Sequence, residues 1–195
     1  MRKEAKRQEV NRVLIAGFAV FLGSITGGLW AYANPLQLVP GIIQWRTFAF
    51  LPPVIGILIS PTAGFVSGYV GAVVWSLLAS TFIPVHTLGV DGVMSGVTGL
   101  IPAMTTGRKF TLVQMATEQR AMVHAVIMAA GATVIMVIAN AASFAIMKIY
   151  PFWWALLRIG LSLIVPVLLG TPIAMRYGSK MMLLTQWIPT KRPKT

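Results

Sequence analysis

The sequence has no cysteine among its 195 residues. That absence excludes a disulfide framework, thiol catalysis and any thiolate metal site. Acidic residues are nearly missing too, with 4 Asp plus Glu against 16 Lys plus Arg. The clustered acids of a two-metal site are therefore absent. The two histidines, His86 and His124, do not sit at a zinc-binding spacing. No G-x-x-x-x-G-K-[ST] phosphate loop occurs, and Gly107-Arg108-Lys109 is only an echo of its end. Ser95-Gly96 with His124 hints at a membrane serine protease, but Val93 breaks the Gly-x-Ser-Gly pattern. The expectation is a protein that is not an enzyme, with no catalytic residue, no metal and no cofactor.

Charge of either sign is scarce. Only 10% of residues are charged and 56% are hydrophobic, whereas a soluble domain carries about a quarter charged residues. The chain reads as an all-α integral membrane protein. A net charge of +12 on a soluble protein would suggest nucleic acid. Here the bases flank apolar runs, so they read as topology signals and contacts with the lipid bilayer, with no nucleic acid.

The apolar runs predict six transmembrane helices in a compact bundle, over residues 13–33, 47–60, 61–82, 91–106, 121–149 and 152–177. Residues 1–12 form a basic arm, 13–177 the membrane domain and 178–195 a basic tail. The arm, the first run and Ala31-Tyr32-Ala33 mimic a signal peptide. The run is long for one, and Pro35 closely follows the cut, so it is read as a span. Pro61 suits a first helical turn, and Gly107 suits a C-terminal cap. Loops are expected at 34–46, 83–90 and 108–120, with Pro166 and Pro172 kinking the last helix.

Six spans put both termini on one side. That side collects 13 basic residues, among them Arg2, Lys3, Arg108, Lys109, Arg120, Arg176 and Lys180. The other side holds 3, which are Arg46, Lys148 and Arg158. The bias places both termini in the cytoplasm. Ala19, Gly23 and Gly27, with Ala16 beside them, form a small-residue stripe on the first helix. It serves either packing inside the bundle or docking to a partner's membrane helix.

Between Arg46 and Gly107 the chain resembles a known family. Arg46 is followed by PPVIGILISPTAGFVSGYVGAVV. Gly89-Val90-Asp91-Gly92-Val93-Met94 then leads to Gly99-Leu100-Ile101-Pro102. With the helix 1 stripe, these runs are similar to those of the S components of energy-coupling factor (ECF) transporters. The family has Ala-xxx-Ala on helix 1, where this chain has Ala16 facing Val20 and Ala19 facing Gly23. The resemblance implies a small six-helix subunit of the prokaryotic plasma membrane. Such a subunit captures a vitamin or related micronutrient from outside. It then docks on a transmembrane T component driven by two ATPase subunits, here through Ala16, Ala19 and Gly23. The alternative is a stand-alone small membrane transporter or a structural subunit of another membrane complex.

A site open to the outside has few polar groups to draw on. The substrate-binding candidates are Arg46, Asp91, Asn140 and Arg158, with Trp75 and Trp153 as aromatic surface. Nearby lie Asn34, Gln37, Gln44, His86, Lys148, Tyr150, Trp45 and Trp154. Each candidate has a plainer role. Asp91 suits a helix N-cap and Arg46 an interface anchor. Arg158 is free to snorkel, to pair with Asp91 or to bind an anion. Trp153 and Trp154 suit an aromatic belt, while His86 reads as a loop residue and His124 as structural.

Overall fold

The computed structural model describes the backbone of residues 2–33, 37–39 and 43–185, and the side chains of residues 13–33 and 45–184. The expected roles of Asn34, Gln37 and Gln44 lie outside the described side chains.

The regular structure of the described residues is helical apart from one small ribbon. Helix α1 is Arg2–Tyr32, so the basic arm from Arg2 onward continues the first helix. Strands β1 (Gln37–Val39) and β2 (Ile43–Gln44) pair antiparallel. Then come α2 (Leu51–Leu58) and α3 (Pro61–Leu78). The Ser60-Pro61 reversal works as expected. The Ser60 hydroxyl accepts from the Ala63 N–H at 3.1 Å, and Pro61 begins the helix where its missing N–H costs nothing.

The expected loop at 83–90 is helical instead. Helix α4 (Pro84–His86) runs through a π-helical turn (Thr87–Asp91) into α5 (Gly92–Lys109). Pro84 supplies helical φ at the start, and the Thr87 hydroxyl accepts from the Ile83 N–H at 3.2 Å. The next expected loop contains α6 (Leu112–Thr117), opened by a capping box of Thr111 and Gln114. Helix α7 (Gln119–Ile146) and α8 (Phe152–Thr185) complete the described elements. Gly107 is not a cap: α5 runs on to Lys109, and a Cβ at Gly107 would meet the Ile57 carbonyl oxygen at 3.2 Å. Helix α8 continues through Pro166 and Pro172 into the expected tail.

The long helices pack as a series, α1 on α3, α3 on α5, α5 on α7 and α7 on α8, largely through small residues. Helix α1 runs parallel to α3, with Ala19 beside Ala63, Gly23 against Ser67 and Gly27 against Gly71. Helix α5 runs antiparallel to α3, with Gly99 on Gly64 and Gly68 on Ser95. Helix α7 is antiparallel to α5: Thr106 meets His124 at one end, and Asp91 meets Asn140 at the other. Helix α8 closes the set on α7 in a core that includes Val137, Ala141, Ala155 and Ile159. This order puts Arg108, Lys109, Arg120, Arg176 and Lys180 at one end of the bundle, and Arg46, Lys148 and Arg158 at the other.

Among the described residues, four helices are long and apolar enough to cross a membrane, over Val13–Tyr32, Pro61–Leu78, Gln119–Ile146 and Phe152–Leu184. The other two expected spans fall short of that standard. Helix α2 has 8 residues, about 12 Å at 1.5 Å each. Helix α5 is rich in Gly, Ser and Thr and ends in Arg108-Lys109.

Ala19 and Gly23 of the helix 1 stripe pack inside the bundle. Ala19 is fully buried, and a Cβ on Gly23 would lie 2.9 Å from the Ser67 carbonyl oxygen. Both residues are covered by this chain's own α3, because two backbones meet there and leave no room for a third. Ala16 stays exposed.

Candidate functional site

The site begins where α3 and α7 end. Both helices finish in a residue at φ 56°, Ser80 and Lys148. After each, an N–H reaches back five residues: Thr81 to Ser76 and Ile149 to Phe144, both at 2.9 Å. This paired helix-ending motif turns the chain sharply at the same end of the bundle. The segment from Arg46 and the α4–π turn arrive there too, leaving a partly open cavity of about 300 Å³ between them.

Arg46 anchors one wall. It is 8% exposed, and its Nη2 donates to Asp91 Oδ2 at 3.2 Å. The guanidinium lies 3.9 Å over the Trp75 ring and 5.2 Å from that of Trp30. Cation–π contact is worth most when the cation is desolvated, as here. The other carboxylate oxygen of Asp91 accepts from Asn140 Nδ2 at 3.3 Å. Asp91 is therefore not an N-cap: it makes no cap hydrogen bond and has helical φ and ψ. The helix has already started at Pro84, so the N–H groups after Asp91 are not orphaned and its carboxylate is released to Arg46. A buried ion pair is costly unless its remaining hydrogen-bonding capacity is met. Here Arg46 Nη1 and Asn140 Oδ1 are buried with no hydrogen-bond partner among the described residues.

Aromatic rings line the cavity as well: Trp75, and Phe144 and Tyr150, whose centroids are 6.0 Å apart. His86 joins them, its ring 4.3 Å from that of Phe144 and its Nδ1 3.0 Å from Ser143 Oγ. Burial lowers the His86 pKa, Asp91 raises it in part and Arg46 lowers it again. The imidazole is neutral at pH 7, so it offers one donor and one acceptor.

The structure thus brings four of the six expected residues together: Arg46, Asp91, Asn140 and Trp75. It does not bring Trp153 or Arg158. Trp153 is 76% exposed and faces outward, beside a shallow apolar groove. The Arg158 guanidinium lies 4.6 Å over the Trp154 ring. Helix α8 turns Ile159 and Ser162 to the cavity and leaves Trp153 on another face, while Arg158, one turn before Ser162, is drawn onto the Trp154 ring instead. His86, expected in a loop, sits in the wall at 7% exposure. Phe144 and Trp30 went unmarked in the sequence. Phe144 follows Asn140 by one helical turn, and that spacing was the available signal. Ser95 and His124 have separate partners, Met136 sulfur at 3.9 Å and Thr106 Oγ1 at 2.8 Å.

No family model matches this chain, and neither does any curated protein or solved structure.

Proposed function

We propose that this chain is the substrate-capture subunit of an ECF-type importer. It takes a vitamin or related micronutrient from outside and docks on a T component driven by two ATPase subunits. The observation that carries the reading is the cavity: an aromatic-lined space with a buried Arg46–Asp91–Asn140 wall, two of whose polar atoms have capacity to spare. Its volume of about 300 Å³ lies at the small end of ligand pockets. The likeness of the 46–107 stretch to the S components supports the same assignment.

In this reading α2 and α5 complete six crossings. Helix α2 is buried over Pro52–Ile57, so its neighbours shield its short length from lipid. The basic end faces the cytoplasm with both termini, and the cavity opens outward. The membrane is a prokaryotic plasma membrane. The chain lacks a phosphate loop, so a partner supplies the ATP hydrolysis. The exposed side of α1 around Ala16 is the part of the stripe left for the T component.

The test is affinity purification from native membranes in mild detergent. Mass spectrometry of the extract should find one small molecule in near-stoichiometric amount, and T and ATPase subunits in the eluate. Protein that arrives with neither refutes the assignment and leaves a structural subunit.

A further inference from the structure

Among the described residues, the wall of the cavity carries formal charge at only two, Arg46 and Asp91, and these lie 3.2 Å apart. They cancel. Lys148 and Arg158 are not part of the wall. An anion entering to meet Arg46 would also meet the Asp91 carboxylate fixed to the same guanidinium, and a cation would meet the reverse. Either would leave one buried charge overcompensated in a poorly solvated place.

The hydrogen-bonding capacity left over is equally specific. A carboxylate only accepts, so the Asn140 group on Asp91 must be the NH₂, and the amide oxygen is the atom left over. On the other side of the carboxylate, Nη2 of Arg46 is used and Nη1 is left over. One buried donor and one buried acceptor thus flank the same acid. Trp75, Phe144 and Tyr150 line the same cavity and give it aromatic surface.

Resting on the capture reading, we infer that the cavity selects an electrically neutral, planar ring with an amide-like edge. Its carbonyl oxygen takes the Arg46 Nη1 proton, and its N–H donates to Asn140 Oδ1. Cyclic ureas, pyrimidinones, lactams and ring carboxamides have this chemistry; ring carboxylates do not.

Two matched pairs test it by calorimetric titration of the full chain in phosphatidylcholine nanodiscs: uracil against orotate, and benzamide against benzoate. At least one neutral member should bind at least tenfold more tightly than its carboxylate. Asp91→Asn leaves Arg46 uncompensated and should reverse that order. Where that variant does not fold, Asn140→Leu removes the acceptor without adding charge and should weaken the neutral probe at least tenfold. Carboxylates that bind the parent as well as their neutral partners in both pairs overturn the inference, and so does unchanged affinity in Asn140→Leu. If neither neutral probe binds, the inference falls too. The capture reading falls only if mass spectrometry of the extracted protein also finds no small molecule.

Discussion

Gly64→Ala should be among the most damaging single methyl additions in this chain. Gly64 lies on α3 where α2 and α5 both cross it. A Cβ there would stand 2.6 Å from Gly56 Cα, 2.6 Å from the Gly99 carbonyl oxygen and 2.9 Å from its carbon. Ordinary contacts begin near 3.4 Å. All three neighbours are backbone atoms, so no rotamer change relieves the overlap. The helices must part by most of an ångström. Overpacking typically costs about 1–3 kcal/mol, and rigid neighbours on two sides put this case near 3 kcal/mol. For a chain of this size that is a fall of roughly 6–12 °C in Tm. Gly131→Ala is the matched control. Gly131 lies inside α7 with nothing within 4 Å of its Cβ position. Alanine there should stabilise by about 0.5–1 kcal/mol through helix propensity alone. Both variants would be melted in nanodiscs and followed by tryptophan fluorescence. Equal Tm values for Gly64→Ala and the parent would refute the close α2–α3–α5 crossing.

Four further outcomes are expected. Arg46→Gln alone should destabilise by about 3–5 kcal/mol because it strands a buried carboxylate, and adding Asp91→Asn should recover much of that loss; a denaturation cycle with no coupling between the two would show the pair to be loose. In the cysteine-free background, Ser80→Cys should react with an impermeant maleimide in intact cells and Gln119→Cys only after lysis; the reverse order would invert the topology. Gly23→Leu should lower Tm in the isolated subunit, because α3 backbone fills that space. Ala16→Leu should leave Tm unchanged and reduce recovery of the T component, and recovery equal to the parent would remove α1 around Ala16 from the docking surface.

Helix existence was legible where apolar runs were long, and illegible where tertiary contacts substitute for length. Helices α1, α3, α7 and α8 each carry their own lipid-compatible run. Helix α2 does not: its 8 residues are stable because Val54, Ile55 and Ile57 are enclosed by neighbouring helices. The Ile83–Val90 misreading has a local cause. Gly89 and the Gly-x-Asp-Gly spacing suggest a turn, but Pro84 and Thr87 have already begun a helix upstream. The π turn then absorbs the register change within that helix.

The site was half legible for a reason of scarcity. In a membrane chain with so few acids, Asp91 had to find a partner, and any arginine near the same end was a candidate. Sequence spacing does not choose between Arg46 and Arg158, since each is far from Asp91 along the chain. What decides is the start of the α4–π–α5 segment. Because the helix begins at Pro84, Asp91 is not needed as a cap, and its side chain enters the seam with α3 and α7 beside Trp75 and Asn140. Arg46 reaches that seam from the turn ahead of α2 and is held there by the faces of Trp75 and Trp30. Arg158, one turn after Trp154 on α8, stacks on that ring instead. The same step explains His86. A histidine in a loop would face water, but as the last residue of α4 it turns inward onto Phe144 and becomes part of the wall. One proline thus assigns the roles of two polar residues that composition alone left open.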